Sequence, residues 1–183
     1  MVSSYAAFLR GMNVGGHRLT NVELCKHFTK MGFRDVASFR ASGNVIFAGE
    51  KQPDDAVAAR IEQGLEKALG YAVPTFIRSA EEVRAIATHE PFERKHVEAS
   101  TGKLQVALLG PRPSAADRKA VLALASDADR LTFGGRELYW LPCGGMSDSE
   151  LDLKEIERRL GAMTVRTKGT VEQIASKHFT DGG

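Results

Sequence analysis

One order of elements occurs twice in this chain, and that doubling constrains its fold more than any other feature. In the first copy Tyr5 to Leu9 predicts a strand, which Gly11, Gly15 and Gly16 break into a loop. Thr20 followed by Glu23 has capping-box spacing, so a helix starts there; Val22, Leu24, Phe28 and Met31 form its apolar stripe and Gly32 its stop. Val36 to Phe39 predicts a second strand, and Ser42-Gly43-Asn44 turns the chain into a third at Val45, Ile46 and Phe47. Pro53 and Asp54 open a second helix whose Val57, Ile61, Leu65 and Leu69 recur every four residues. Gly70 ends it, and Val73 to Ile77 predicts the fourth strand.

A connecting helix starts at Ser79, again with capping-box spacing to Glu82, and the polar stretch from Glu93 to Gly102 reads as a linker or mobile loop. The second copy then follows. Leu104 to Leu109 is a strand, Ser114 to Ala125 a helix, and Leu131–Phe133 with Glu137–Leu141 a hairpin around Gly134-Gly135. Leu151 to Leu160 is a helix and Met163 to Arg166 a strand, and a last helix starts at Thr170. Matching elements lie roughly ninety residues apart, a topological repeat without visible sequence identity.

A βαββαβ unit closes as a four-stranded antiparallel sheet with both helices on one face. The expected fold is therefore α+β, two ferredoxin-like halves with antiparallel sheets. Residues 1–78 make the first half, 79–102 a connecting helix and loop, and 103–183 the second half with an extra C-terminal helix.

Composition excludes several classes. With 43% hydrophobic residues and a net charge of +2, the chain is neither disordered nor a nucleic-acid coat protein. Cys25 and Cys143 are its only cysteines, which argues against a secreted disulfide scaffold. No apolar run spans a membrane, and the N-terminus has no basic segment followed by an apolar core. These readings together predict a cytoplasmic protein with no membrane partner.

The glycine-rich loop Arg10-Gly11-Met12-Asn13-Val14-Gly15-Gly16-His17-Arg18 carries the first chemical signal. Its Gly11-x4-Gly16 spacing is that of a loop whose backbone N–H groups cradle phosphate. His17 then stands where Lys should reach the phosphates, and Arg18 where a hydroxyl should hold Mg²⁺, so a nucleoside triphosphatase is rejected. Anion binding survives: Arg10 at the strand end, with Asn13 and flexible glycines, can hold a carboxylate or phosphate.

The segments Phe8-Leu9-Arg10-Gly11-Met12-Asn13-Val14-Gly15-Gly16 and Ser42-Gly43-Asn44-Val45-Ile46-Phe47 closely resemble a widespread bacterial family, domain of unknown function 1697. The resemblance continues through Leu138-Tyr139, Pro142 to Gly144, and Arg166 with Thr170-Val171. It implies ferredoxin-like α+β units and brings no activity, cofactor or catalytic residue. The family's polar positions fall here on Arg10, Asn13, Ser42 and Asn44, with Arg166 and Thr170 in the second half. The chain departs from the family's pattern at Ala41, where Gln is common, and at Ser149-Glu150-Leu151, where Ser-Lys-Leu is common. It departs again at Arg166-Thr167-Lys168-Gly169-Thr170, which lacks the family's Trp.

Arg10 leaves the first strand and Asn44 enters the third, the two central strands of a ferredoxin-like unit, so these groups are expected to be neighbours. Arg, Asn and Ser supply donors and acceptors without a strong general base. The expected ligand is small and anionic, phosphate- or nucleotide-like, held by Arg10, Asn13, Ser42 and Asn44 with Arg166 approaching from the second half. The alternatives are a protein–protein interaction module in which Asn44 and Ser42 only shape a turn, an enzyme on a phosphate ester, and an RNA or DNA binder. Nucleic acid is disfavoured, because Tyr5 and Phe8 point to opposite faces and the third strand offers only Phe47. Cys25 and His27 face different sides of their helix, Cys143 has no partner base in its sequence context, and the histidines lack zinc-site spacing. No cofactor, metal or catalytic residue is implied. Trp140 lies inside a strand pattern and reads as core.

Overall fold

Thr20 starts the first helix as its spacing predicts: its hydroxyl accepts from the Glu23 N–H, and the Glu23 carboxylate reaches back to the Thr20 N–H at 2.9 Å. The computed structural model describes residues 1–13, 15–40 and 43–180. In chain order the first set of elements is β1 (Val2–Leu9), α1 (Asn21–Lys30), β2 (Arg34–Ser38), β3 (Asn44–Glu50), α2 (Asp54–Leu69) and β4 (Thr75–Ser79). The helices α3 (Ala80–Thr88) and α4 (Arg94–Ala99) follow. The second set is β5 (Gln105–Leu109), α5 (Ala115–Leu122), β6 (Asp129–Phe133), β7 (Glu137–Pro142), α6 (Leu153–Leu160) and β8 (Met163–Thr167), with α7 (Lys168–His178) last.

The strands form two four-stranded antiparallel sheets, ordered β2-β3-β1-β4 and β6-β7-β5-β8. Each places the first and third strands of its copy at the centre. The expected α+β architecture of two ferredoxin-like βαββαβ halves is the one observed.

In the first sheet Tyr5, Ala7, Leu9, Val45, Phe47 and Ile77 face α1 and α2, meeting Leu24, Phe28, Val57, Ile61 and Leu65. Phe47 sits at the middle, its ring 4.6 Å from Phe33, 5.4 Å from Phe28 and 5.5 Å from Tyr5. The alternate residues Ala6, Phe8, Ile46, Phe76 and Arg78 point the other way by strand alternation, and they are buried as well. The edge strand β2 is interrupted by a register shift between Arg34 and Ala37, with Asp35 at φ 51°, which blunts it against further pairing. The second sheet packs Ala107, Leu109, Leu131, Leu138, Trp140 and Met163 against Val121, Ile156 and Leu160.

Two local expectations need correction. The polar stretch 93–102 is not all loop, because Arg94–Ala99 is a helix steadied by an Arg94–Glu98 ion pair at i,i+4 rather than by an apolar stripe. The last helix begins one turn before Thr170: Thr167 is the cap, its hydroxyl accepting the Thr170 N–H at 3.2 Å.

The structure also reveals identity between the copies where none was visible. At an offset of 88 residues, Ile77-Arg78-Ser79 aligns with Val165-Arg166-Thr167, followed by Val83 with Val171 and Ile86 with Ile174. Each stretch closes a sheet and caps the helix that follows; Ser79 accepts the Glu82 N–H at 3.2 Å as Thr167 accepts that of Thr170. By internal contacts the chain divides into Met1–Ala85 with Ile174–Gly183, and Ile86–Gln173. These divisions fall inside α3 and α7, whereas the sequence reading placed residues 79–102 as a connector and everything after 103 in the second half.

Candidate functional site

At one end of the first sheet two loops meet. β1 ends at Leu9, whose N–H donates to the Gly43 carbonyl at 2.8 Å, and the Arg10 N–H donates to the Pro74 carbonyl at 2.9 Å. Phe8 pairs with Asn44 in the β1–β3 register. A Cβ on Gly43 would come within 3.1 Å of both Leu9 Cβ and Met12 Cγ, and its φ is +73°, so only glycine fits where the loops touch. Asn21 at the start of α1 adds a further tie, donating from Nδ2 to the Arg40 carbonyl at 3.0 Å.

The glycine loop is held at both ends. Asn13, itself left-handed at φ 60°, accepts the Leu19 N–H on Oδ1 at 2.7 Å, and the Thr20–Glu23 box closes the next turn. Between these ties Gly15 and Gly16 are left-handed, at φ +63° and +87°, and a Cβ on either would meet nothing within 4 Å. Arg10 is half-buried, while His17 and Arg18 are exposed. His17 stacks on Tyr71 with ring centroids 4.1 Å apart.

The structure therefore brings Arg10, Asn13 and Asn44 to one end of the first unit, but it gives the two asparagines work inside the fold. Asn44 is buried and its Nδ2 donates to the Phe39 carbonyl at 3.0 Å, while the Phe39 N–H donates to the Asn44 carbonyl at 2.9 Å. This closes the β2–β3 connection. Ser42 lies outside the described residues. Arg166 lies on β8 of the second unit, half-buried, with Nη1 donating to Thr164 Oγ1 at 2.7 Å and to the Val165 carbonyl at 3.0 Å. Burial lowers its guanidinium to about 10, which leaves it cationic at neutral pH.

Among the described residues no group of three or more His, Cys, Asp or Glu side chains is arranged to hold a metal ion. No helix among them is long and apolar enough to cross a membrane. Tyr5, Phe8 and Phe47 are all buried, so β1 and β3 present none of these rings for stacking on a base.

Two buried polar groups in the second unit escaped the sequence reading. Asp129 accepts the Trp140 indole N–H and the Ser149 hydroxyl, each at 2.7 Å, joining segments that no local spacing connects. Lys168, only 7% exposed, donates to the Ala87 carbonyl at 2.9 Å and to Glu172 at 2.6 Å. The i,i+4 spacing of Lys168 and Glu172 was the available signal.

A family model described as "Protein of unknown function (DUF1697)" matches residues 2–139. The chain belongs to this family. Among solved structures, the conserved bacterial protein SP0830 from Streptococcus pneumoniae is similar over 96% of this chain and 98% of its own, with a TM-score of 0.71 and 18% identity. That likeness is one of fold. Among curated proteins, none matches the chain. The family match takes in both loops of the first unit and stops short of Arg166.

Proposed function

We propose that this DUF1697 chain is a cytoplasmic protein that binds a small anionic ligand, phosphate- or nucleotide-like, on the glycine loop of its first unit. The observation that carries the reading is a loop tied down on both flanks with open space beside Gly15 and Gly16. Asn13 and the capping box hold the flanks, while a Cβ on Gly15 or Gly16 would meet nothing within 4 Å, which leaves room beside the main chain there. Backbone N–H groups held this way bind an anion without a further ordering cost. Arg10 supplies the charge-assisted hydrogen bond, and Arg18 adds positive potential. Asn44 positions the neighbouring connection instead of contacting the ligand.

Binding is favoured over turnover of a phosphate ester by the residues of the loop itself. From Arg10 to Thr20 the only imidazole is His17, and no carboxylate stands in the segment to act as a general base. The test is thermal unfolding of wild type and Arg10→Ala against inorganic phosphate, nucleotides, sugar phosphates and short RNA. A ligand at about 100 times its Kd stabilises by ~2.7 kcal/mol, a rise of roughly 5–10 °C for a chain of this size. The expected result is a rise in wild type that Arg10→Ala abolishes. A rise equal in both proteins, or none with any anion, removes the proposal.

A further inference from the structure

A cavity of about 450 Å³ opens in the second unit, of the size that takes a small molecule. Its lining includes four carboxylates, Asp129, Asp148, Glu150 and Asp152, beside apolar Leu124 and Leu151, and no Lys, Arg or His. Charge alone would leave this an acidic surface; what builds a site is Asp129. It is 4% exposed, and its Oδ1 takes both the Trp140 and the Ser149 hydrogen bonds. Its backbone N–H donates to Ser126 Oγ at 3.1 Å, so main chain and side chain are both held. Oδ2 accepts no hydrogen bond among the described residues, although no buried side-chain nitrogen or oxygen among them lacks a partner. Oδ2 therefore keeps some exposure although the residue is buried, and Asp129 is among the residues that line the cavity. A carboxylate held on one oxygen and open on the other is a preorganised acceptor for a cationic donor.

We propose that this cavity binds a small organic cation, a primary ammonium or guanidinium on a short apolar body, with Asp129 Oδ2 accepting its N–H. Glu150 and Asp148 supply negative potential at the opening, and the leucines cover the body. The site stands on different residues from the anion site and does not depend on it.

Trp140 is the only tryptophan and is bonded to the carboxylate in question, so the protein carries its own reporter. The experiment titrates the full chain with 1,4-diaminobutane and, at equal ionic strength, with the neutral 1,4-butanediol. Trp140 emission and binding heat are both read. A saturable response to the diamine and none to the diol is expected. Asp129→Asn, which keeps an oxygen to accept from Trp140, should weaken binding roughly tenfold or more. Glu150→Lys, at an exposed position that leaves the core intact, should weaken it too, and it decides the matter if Asp129→Asn does not fold. No saturable heat or emission change with the diamine overturns the proposal. So does an equal response to the diol, or unchanged affinity in both variants.

Discussion

Arg78 and Arg166 are the same residue of one motif, 88 positions apart: each is the fourth residue of the strand that closes its sheet. Each turns Nη1 back onto the carbonyl of the residue before it, at 2.8 Å to Ile77 and 3.0 Å to Val165. Each is followed by a hydroxyl residue that caps a helix. Arg78 is fully buried, and a side chain of that size cannot be removed without leaving a void and buried polar atoms short of partners. Arg78→Ala should cost about 3 kcal/mol or more in urea unfolding, against less than about 0.5 kcal/mol for exposed Arg18→Ala. Equal effects would mean that the buried guanidinium contributes little to the fold.

Asn44→Ala tests whether that amide is part of the fold. It strips the Nδ2 donor from the buried Phe39 carbonyl, which should destabilise by about 1–3 kcal/mol. Anion binding by the folded fraction should stay unchanged. A stable variant that has lost anion binding would instead put Asn44 in contact with the ligand.

The two helix caps predict matched effects. Ser79→Ala and Thr167→Ala each remove one hydroxyl acceptor from a first-turn N–H, and each should lower stability by about 1 kcal/mol in denaturant unfolding. A cost at only one of them would show that the repeated motif is not used equally in the two copies.

What the sequence made legible was short-range. The Thr20–Glu23 and Ser79–Glu82 boxes could be read directly, because a cap and its partner sit three residues apart. Strand order followed from the doubled βαββαβ pattern. The helix over Arg94–Ala99 was missed because its support is an ion pair and not an apolar period. Thr170 hid the cap at Thr167 because a second hydroxyl at the right spacing competed with it. The Asp129, Trp140 and Ser149 cluster is written at three distant positions and becomes visible only when the hairpin brings them together. Of the expected ligand residues, Arg10 and Asn13 stand on one loop, as their closeness in sequence requires. Nothing in the sequence could show that Asn44 spends its amide on Phe39.

Glu155 gives a pH-dependent signature. Its carboxylate is held at about 2, foremost by the hydrogen bond from Arg158 and then by that from Arg159, against an ordinary value of 4.5. A lowered carboxylate contributes stability above its unfolded value and loses it as the pH falls towards its folded one. Glu155→Gln should therefore flatten the fall in Tm between pH 4.5 and about 2. An unchanged slope would show that the exposed pair is screened to insignificance.

Gly102 predicts a steric effect. A Cβ there would lie 2.0 Å from the Gly144 carbonyl oxygen and 2.8 Å from that of Pro142, both main chain. Gly102→Ala must push the 142–144 segment aside, at an expected cost of about 1–3 kcal/mol. Because Pro142 and Gly144 line the Asp129 cavity, Trp140 emission should shift as well. A variant of unchanged stability and emission would show that the two segments separate freely.

The division of the chain inside α3 and α7 sets an order on synthesis. Ile174–Gly183 counts with the first unit, yet the ribosome makes it only after all of Ile86–Gln173. Domains ordinarily fold as they emerge, N-terminal one first. Here the contiguous second unit is the first to have all its residues, and the first unit waits for a segment translated after it. A nascent chain stalled just short of Ile174 would hold a complete second unit and an N-terminal one still exposing the surface which that segment covers.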